Sequence, residues 1–505
     1  MLWQLQRDYF NSAKIEAWSS GEVPHYITSN PKVGQTYAEM VLALLRDLSL
    51  KGKTHDTVYL IDLGAGHGRL CYHFFKHFEK YYAQSAIPLP PFCYILSDFT
   101  ASSLAFWQGH PRFKPYIEKG WLEMAQFNAV SDTSITLNHS GQKLDIQSLE
   151  QPLIAIANYF FDTIPQELFR IQDGKVEQVL LSLSSNLPTE NTAPAQLIDS
   201  LQCDYSYQAI ELPVYAEDPV LGKLLDFYRE QLSNTHLLFP HVGLHCLERL
   251  KSISKAGLVL LSADKGEHHL SNLDHQPEPE LVTHGSFSLS VNYHTLKLHC
   301  ENEAGLSLFP RHQPYSLDLC CLLFLEGASS YLETINAYDK VVQDYGPDDY
   351  FNLKKLVEKS FGSLSYQDIM AVIRLSGYDA RIFQQMLPDL HQQIEDLSPN
   401  ERWNLLLMLP RIWDTYFPLV EAEDLAANLG NLLMQLHFFE EAILYFNKSI
   451  VIYGKTEQVV HNMILSHCLL KDFEAAKVLL KDLRKLQHDP ETLKELIRTF
   501  NLDEM

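Results

Sequence analysis

Short apolar runs that end in polar residues recur along the first half of the chain, with helix-like segments between them. The runs are Val58 to Asp62, Tyr94 to Leu96, Leu153 to Ala157 and Gly257 to Ser262. Short apolar runs of this kind are typical of strands buried on both faces, and such strands alternate with helices in parallel sheets. The pattern predicts an α/β fold with a mostly parallel sheet and helices on both of its faces.

The segments around these strands have patterns of their own. The first 50 residues have the apolar spacing of helices, with an extended break at Pro24 to Pro31. Glu167 to Ile171 and Val176 to Leu181 flank a turn at Asp173-Gly174, which predicts a hairpin. Residues 184 to 208 are rich in Ser, Asn, Thr and Pro, and we expect them to form a surface loop.

From about residue 316 onward strand patterns nearly vanish, and the spacing of apolar residues predicts an all-helical C-terminal third. Near its end a four-residue motif recurs at an offset of 34 residues, the tetratricopeptide period. The two copies are Leu436, Phe439, Glu440, Ala442 and Leu470, Phe473, Glu474, Ala476. Two unrelated amphipathic hairpins are the alternative interpretation. Because two repeats are fewer than an independent solenoid usually needs, we expect them to pack on the helices before them.

The chain has 505 residues, which is enough for two to four domains. The patterns divide it into an α/β domain over residues 1–315, a helical connecting region over 316–420 and tetratricopeptide-like repeats over 421–505. The apolar run from Leu319 to Leu325 is far shorter than the roughly 20 residues of a membrane helix. We therefore expect no membrane span.

Charge and cysteine usage narrow the class of partner and the compartment. Forty Lys and Arg face 63 Asp and Glu, and the net charge of −23 disfavours nucleic acid as a partner. The eight cysteines form no CxxC pair, which is typical of reduced thiols, and the N-terminus lacks the apolar core of a signal peptide. We expect a cytoplasmic protein.

His241 and His245 lack the Glu of an HExxH motif, so no metal site is predicted.

The strongest candidate site follows the first predicted strand. In the segment from Asp62 to Arg69, Gly64 and Gly66 allow a tight turn and close approach of a ligand to the backbone. A dinucleotide fingerprint would need a glycine at position 69, but the third glycine is Gly68. This spacing favours S-adenosylmethionine over NAD. Asp62 would organise the loop, and Asp98, at the end of the second strand, would accept hydrogen bonds from the ribose hydroxyls.

Several segments carry a family resemblance. The sequence IAIANYFFDTIPQELF, Ile154 to Phe169, resembles the ANEFFDALP-type motif of the arginine methyltransferases that assist assembly of respiratory complex I, and of their bacterial relatives. YITSNPKVGQTYA, Tyr26 to Ala38, is similar to that family's N-terminal substrate-side segment. VLLSADKGEHH and HGSFSLSVNYHTL resemble its strand ending in Asp-Tyr-Gly and its later hairpin. The match covers approximately residues 20 to 315.

The resemblance implies a class I, Rossmann-like methyltransferase fold that binds S-adenosylmethionine. The implied cofactor residues are Asp62, Gly64, Ala65, Gly66, Gly68, Asp98, Gln126 and Asn128, the last two beside the adenine. The implied residues around the acceptor and the transferred methyl group are Asn158, Tyr159, Asp162 and Asp264. For any one of these four, a helix cap or a packing role is the alternative.

Three departures from the family pattern bear on the acceptor. Tyr159 replaces a Glu, Lys265 replaces the Tyr of Asp-Tyr-Gly, and Asn292 occupies a position that is often Asp. A guanidinium is held best by a bidentate carboxylate, and a tyrosine offers only one hydroxyl. The substitution at position 159 therefore argues against arginine as the acceptor.

Three functional hypotheses remain. The first is an S-adenosylmethionine-dependent methyltransferase with a protein acceptor or partner, because helical repeats usually bind polypeptide. The second is an inactive methyltransferase-fold scaffold that binds proteins through its repeats. The third is a small-molecule methyltransferase, in which the repeats would serve only oligomerisation.

Overall fold

The computed structural model describes residues 1–188, 192–210, 213–419, 421, 423–486 and 490–500. Residue 420 of the predicted connecting region and residues 422, 487–489 and 501–505 of the predicted repeat region lie outside the described residues. The chain forms two compact units, Met1–Lys354 and Lys355–Met505. Within the described residues, all strands belong to the first unit.

The first unit contains both helices and strands. Its helices are α1 (Leu2–Ala13), α2 (Glu16–Ser19), α3 (Tyr26–Ser29), α4 (Pro31–Leu50), α5 (Arg69–Ala83), α6 (Ala101–Gly109), α7 (Lys114–Glu118), α8 (Pro194–Asp199), α9 (Pro219–Gln231), α10 (His241–Ile253), α11 (Tyr293–Asn302), α12 (Leu332–Tyr338) and α13 (Pro347–Glu358), the last of which contains the boundary between the units. Its strands are β1 (Val58–Leu63), β2 (Phe92–Asp98), β3 (Leu122–Gln126), β4 (Ile135–Thr136), β5 (Lys143–Leu144), β6 (Leu153–Asn158), β7 (Glu167–Gln172), β8 (Lys175–Ser184), β9 (Gln202–Ala209), β10 (Asn234–Phe239), β11 (Leu258–Asp264), β12 (Gly266–Glu267), β13 (Val282–His284), β14 (Ser286–Ser288), β15 (Val291–Asn292), β16 (Leu306–Leu308) and β17 (Asp318–Phe324).

The central element is a seven-stranded sheet in the order β16-β17-β11-β6-β1-β2-β3. The five strands from β3 to β11 in this order are parallel, whereas β17 runs antiparallel to both of its neighbours. The predicted mostly parallel α/β sheet is therefore confirmed. Strands β2, β11 and β17 are buried along their whole length, as expected when both faces of a sheet are covered. The strand order reverses between β1 and β6, and such a switch point leaves a crevice at the carboxyl ends of the strands.

Strand β17 contradicts the prediction that the chain is all-helical from residue 316 onward. Its residues pair with the whole of β11, from Asp318 opposite Asp264 to Phe324 opposite Leu258. The run is made of Leu and Cys rather than β-branched residues, so its local pattern does not distinguish a strand from a helix. Pairing with β11 decides the outcome. The first compact unit accordingly extends to Lys354, beyond the division expected at residue 315.

The segment from residue 184 to residue 208 is not the surface loop that its composition predicts. Strand β9 pairs antiparallel with β8, and helix α8 precedes it, whereas residues 189–191 lie outside the described part of the chain. The polar side chains of β9 are compatible with a half-exposed edge strand, because only alternate positions need be covered. The predicted hairpin of β7 and β8 is confirmed, with Asp173 and Gly174 in the left-handed region at its turn.

The extended break predicted at Pro24 to Pro31 is wrong in part. Residues Tyr26–Ser29 form the single helical turn α3, and α4 begins at Pro31. Asn30 caps α4, because its side-chain oxygen accepts a hydrogen bond from the N–H of Val33 at 3.1 Å. A proline is well tolerated at the first helical position, where its missing N–H has no intrahelical partner to lose.

The second unit is built of helices in the described residues. They are α14 (Tyr366–Leu375), α15 (Ala380–Gln393), α16 (Pro399–Thr415), α17 (Leu425–Gln435), α18 (Phe439–Tyr453), α19 (Glu457–Leu469), α20 (Phe473–Leu486) and α21 (Pro490–Phe500). The recurring motif falls on equivalent places, since Phe439 begins α18 and Phe473 begins α20. Ala442 and Ala476 are both fully buried. The tetratricopeptide assignment stays a prediction.

In the part of the chain that the structure describes, no helix combines the length and the apolar content that crossing a membrane requires.

The fully buried Ala476 generates a prediction about the second unit. We expect Ala476→Leu to lower its free energy of unfolding by about 1 to 3 kcal/mol, because added methylenes have no space in a packed interface. Val478 is 63% exposed on the same helix, so Val478→Leu should change stability by no more than about 0.5 kcal/mol. Chemical denaturation of the two variants and the wild type measures the difference. Equal effects of the two substitutions would contradict the packing described for α20.

Candidate functional site

A cavity of about 350 Å³ opens at the carboxyl ends of β1, β2 and β6, in the first unit. Nine of the twelve site residues predicted from the sequence line it: Asp62, Gly64, Ala65, Gly66, Asp98, Asn128, Asn158, Tyr159 and Asp162. The tertiary structure therefore brings together residues from the predicted cofactor group and the predicted acceptor group. Their roles stay predictions.

The other three predicted residues lie outside the cavity wall. Gly68 precedes α5, and a Cβ atom added to it would lie 2.9 Å from the ring of Phe113. Gln126 is exposed and donates a hydrogen bond to the carbonyl of Phe99 at 3.0 Å. Asp264 is fully buried, and its side chain accepts a hydrogen bond from the N–H of Asp162 at 3.4 Å. None of these three residues lines the cavity.

The loop between β1 and α5 is held in place by its neighbours. Ala65 donates its N–H to the carbonyl of Ser97 at 2.9 Å, and the indole N–H of Trp107 donates to the carbonyl of Gly66 at 2.9 Å. Gly66 has φ of 54°, a left-handed conformation that disfavours a side chain. A Cβ atom there would also lie 2.9 Å from Trp18. The loop exposes its backbone to the cavity at Gly66, because the residue that lies closest to Trp18 has no side chain.

Two buried carboxyl groups flank this loop. The hydroxyl of Tyr94 donates to Asp62 at 2.8 Å, and Thr100 donates both its N–H and its hydroxyl to Oδ1 of Asp98, at 2.8 and 2.9 Å. Burial raises the pKa of Asp62 to about 7, and the Tyr94 hydrogen bond offsets part of that effect. Burial also raises the pKa of Asp98. A ligand carrying positive charge or hydroxyl donors would favour the ionised form of both groups.

Asn158 ends β6 and connects three parts of the chain. Its Oδ1 accepts a hydrogen bond from the hydroxyl of Tyr37 in α4, and its Nδ2 donates to the carbonyl of Thr28 at 3.3 Å. Tyr37 is fully buried, and burial raises its pKa well above the usual range, so its hydroxyl stays protonated and donates. Asn158 therefore fixes the N-terminal segment over the end of the strand.

Tyr159 has φ of 47°, in the left-handed region that few side chains other than those of Asn and Asp adopt. Its N–H donates to the carbonyl of Ala263 at 3.1 Å, which anchors the turn to β11. Burial, together with the charges of Asp264 and Asp162, raises the pKa of the phenol. The phenol of Tyr159, which lines the cavity, is therefore neutral.

Asp162 and Asp264 form a pair of buried carboxyl groups. Asp162 is 6% exposed and lines the cavity, whereas Asp264 is 0% exposed. Burial raises the pKa values of both groups, and the charge of Asp162 raises that of Asp264 further. Two carboxyl groups that share a buried site do not ionise together readily, so the pair keeps one of its two protons to a higher pH than a free carboxyl group does. Oδ1 of Asp162 has no hydrogen-bond partner, which is unusual for a buried polar atom and typical of a functional site.

The sequence did not predict that the first helix forms part of the cavity wall. Trp3, Gln6, Arg7 and Phe10 of α1 line it, together with Trp18. Their spacing at i, i+3, i+4 and i+7 indicates one face of a helix, but the spacing alone does not reveal what that face covers.

Lys265 and Asn292, two of the three residues that differ from the family pattern, lie in different surroundings. Lys265 lines the cavity. Asn292 does not, because its side chain caps α11 through the N–H of Thr295 at 3.0 Å and donates to the carbonyl of Leu238 at 3.0 Å. An aspartate at position 292 would lose the second of these bonds. The two hydrogen bonds of Asn292 therefore explain why an asparagine stands at this position, and no role in a reaction is needed.

No family model matches the sequence, and no curated protein matches it. Two solved structures from Burkholderia thailandensis, members of one superfamily, are similar to it. The first, an uncharacterised protein, has 9% identity and a TM-score of 0.38, over 65% of this chain and 95% of its own. The second, suggested to be a methyl transferase, is bound to S-adenosyl-homocysteine and has 12% identity and a TM-score of 0.36, over 64% of this chain and 75% of its own.

The carboxyl pair makes the stability of the chain depend on pH. The folded chain keeps a proton on Asp162 or Asp264 that the unfolded chain releases above the usual carboxyl pKa of about 4, so stability falls as pH rises through the raised pKa values. We expect Asp162→Asn to reduce this fall and to exceed the wild type in stability at pH 8 by about 1 kcal/mol or more. Calorimetric unfolding at pH 5 and pH 8 measures it. Asp56→Asn, the same change at an exposed position, should leave the pH dependence unaltered. An unchanged pH dependence in Asp162→Asn would contradict the shared proton.

Proposed function

We propose that this protein is an S-adenosylmethionine-dependent methyltransferase with a protein acceptor. The observation that carries the proposal is the cavity at the switch point of the sheet. A backbone loop with Gly66 in a left-handed conformation forms one part of its wall, and the buried carboxyl groups of Asp98 and Asp162 form others. Open α/β sheets bind ligands at this place.

The residues of the cavity fit such a cofactor. A volume of about 350 Å³ is within the range of small-molecule sites. Gly64 and Gly66 would allow the amino-acid portion to approach the loop backbone, and Asp98 would accept hydrogen bonds from the ribose hydroxyls. Asn128 would lie beside the adenine. When bound, the cofactor supplies an electrophilic methyl group on a sulfonium sulfur.

The residues of the chain would align the acceptor, exclude water and take up a proton. Transfer of a methyl group to a nitrogen or oxygen acceptor forms a bond to carbon, returns the electrons of the broken bond to sulfur and releases one proton. Asp162 is suited to accept that proton for two reasons. Its pair with Asp264 has one proton for two carboxyl groups, and its Oδ1 has no hydrogen-bond partner. Asp162 and Asp264 would thus act together as the general base.

The surroundings of Tyr159 limit the class of acceptor. A guanidinium is held best by a bidentate carboxylate, and position 159 carries the neutral phenol of a tyrosine in place of one. We therefore propose an uncharged or less demanding nucleophile on the acceptor. The helical second unit supports a polypeptide as the carrier of that nucleophile, since helical repeats usually bind proteins.

Asp98 provides the first test. We expect Asp98→Asn to weaken binding of S-adenosylhomocysteine by at least about tenfold, because it removes a charge-assisted hydrogen bond. The amide oxygen can still accept from Thr100, so the local fold should survive. Glu123→Gln is the matched control, a buried carboxylate on the same sheet that does not line the cavity, and it should bind as the wild type does. Calorimetry gives the dissociation constants. Failure of the wild type to bind below millimolar concentration would overturn the proposed function.

Tyr159 provides the second test. We expect Tyr159→Glu to lower methyl transfer by at least about tenfold, because it adds a third carboxyl group beside Asp162 and Asp264. Tyr159→Phe, which keeps the ring and adds no charge, should lose less. The measurement is incorporation of labelled methyl groups into host-cell extract, followed by amino-acid analysis.

The distribution of the label separates the hypotheses. More methylarginine from Tyr159→Glu than from the wild type would contradict the proposed acceptor class. Label found only in small molecules would contradict a protein acceptor. Tight binding of S-adenosylhomocysteine with no incorporation by any variant would favour the inactive scaffold.

A further inference from the structure

One face of helix α1 covers the cavity. Trp3, Gln6, Arg7 and Phe10 all line it, and they are spaced as one stripe of a helix. Three of these side chains are apolar or amide, whereas Arg7 places a permanent positive charge at the wall. The Arg7 side chain is only partly buried in this position.

The helix that carries Arg7 is fixed by contacts on either side of that residue. The amide of Gln6 donates to the carbonyl of Phe287 at 2.8 Å and to the hydroxyl of Ser286 at 3.2 Å. Phe10 stacks on Trp18 with ring centroids 5.7 Å apart, and Trp18 lies against the loop at Gly66. The backbone on both sides of Arg7 is thus held in place at the cavity.

The guanidinium of Arg7 lies at the ends of two neighbouring strands. Its Cζ is 4.4 Å from the ring centroid of Phe99, the residue that follows β2. Its Nη1 is 3.4 Å from Oδ1 of Asn128, two residues beyond the end of β3. Phe99 also adjoins Asp98, the proposed ribose ligand. The position of Arg7 therefore coincides with the place where the base of an adenosine would lie.

We propose that Arg7 is a further cofactor-binding residue, which stacks on the adenine ring from the side opposite Phe99; this inference rests on the proposed function. A planar guanidinium attracts the face of an aromatic ring, and nucleic-acid bases stack on arginine as they do on aromatic side chains. The face of Phe99 that Arg7 now covers would then receive the base. Arg7 would cover the outer face of the base in turn.

The distance between Arg7 and Phe99 determines how far the guanidinium must move to admit a base between them. Two flat groups in contact are about 3.5 Å apart, so a base between Phe99 and Arg7 needs a separation of roughly 7 Å. The guanidinium must therefore move outward by about 3 Å from its present 4.4 Å. Side-chain rotations can supply this displacement without moving α1, which Gln6 anchors to Phe287. Asn128 would lose its contact with Arg7 and its side-chain oxygen would become available to the base.

Binding of two probes tests the inference. The probes are S-adenosylhomocysteine and adenosine, the second as a competitor of the first, and calorimetry gives both dissociation constants. We expect Arg7→Ala to weaken both probes by the same factor, about 5- to 30-fold, because both carry the adenine. Arg7→Lys, which keeps the charge and loses the flat group, should fall between Arg7→Ala and the wild type. Arg311→Ala removes the same side chain from an exposed position, and should bind both probes as the wild type does.

The other possible results distinguish failure of this inference from failure of the proposed function. Arg7→Ala binding within twofold of the wild type, or more tightly, would overturn the inference and leave the proposed function intact. Loss of affinity for S-adenosylhomocysteine without an equal loss for adenosine would place Arg7 at the amino-acid end, which also overturns it. A wild-type chain that binds neither probe would overturn the proposed function itself. Equal thermal unfolding midpoints confirm that the variants are folded.

Discussion

Parallel pairing of β1 with β2 on one side and with β6 on the other is the constraint on which the site depends. The register places Asp62 opposite Leu96 and Ile156, so the three strands end at the same edge of the sheet. Because parallel strands cannot be joined by short turns, each of these ends begins a separate connection. The cavity is the space that those connections leave at the switch point. Its polar residues come from distant parts of the sequence, and the sheet hydrogen bonds fix their relative positions.

The same edge collects several carboxyl groups that are expensive to bury. Asp62, Asp98, Asp162 and Asp264 are at most 6% exposed, and burial raises the pKa of each. A structural core gains nothing from such a concentration of acids, whereas a binding site gains a strong preference for ligands with positive charge or hydroxyl donors. Hydrogen bonds from Tyr94 and from Thr100 lower the cost of two of them. The free-energy cost of burial that remains is what raises the pKa values of these groups. The raised pKa values underlie both the proposed chemistry and the pH dependence of stability.

The N-terminal helices complete the cavity, and they do so through contacts with elements far along the chain. Gln6 donates to Phe287, Thr28 accepts from Asn158, and Trp18 packs on Gly66. These contacts give the cavity an aromatic wall that the sheet edge alone would lack. They also explain why Gly66 has no room for a side chain. The loop and the helix that covers it are therefore one packing unit, and a change in either alters the shape of the cavity.

The sequence by itself determined the parallel strands, the glycine loop and most of the polar residues at the strand ends. It did so because buried parallel strands are short apolar runs, and because the residues that follow them must lie at one edge. Strand β17 was decided by tertiary structure, since its Leu and Cys run forms a strand only through pairing with β11. Tertiary structure also decided that Asp264 lies behind Asp162 and that Gln126 bonds to Phe99. Local spacing places a residue near an edge but does not fix the direction of its side chain. The face of α1 is the same case: the spacing of Trp3, Gln6, Arg7 and Phe10 indicates one side of a helix, and only packing shows that this side covers the site.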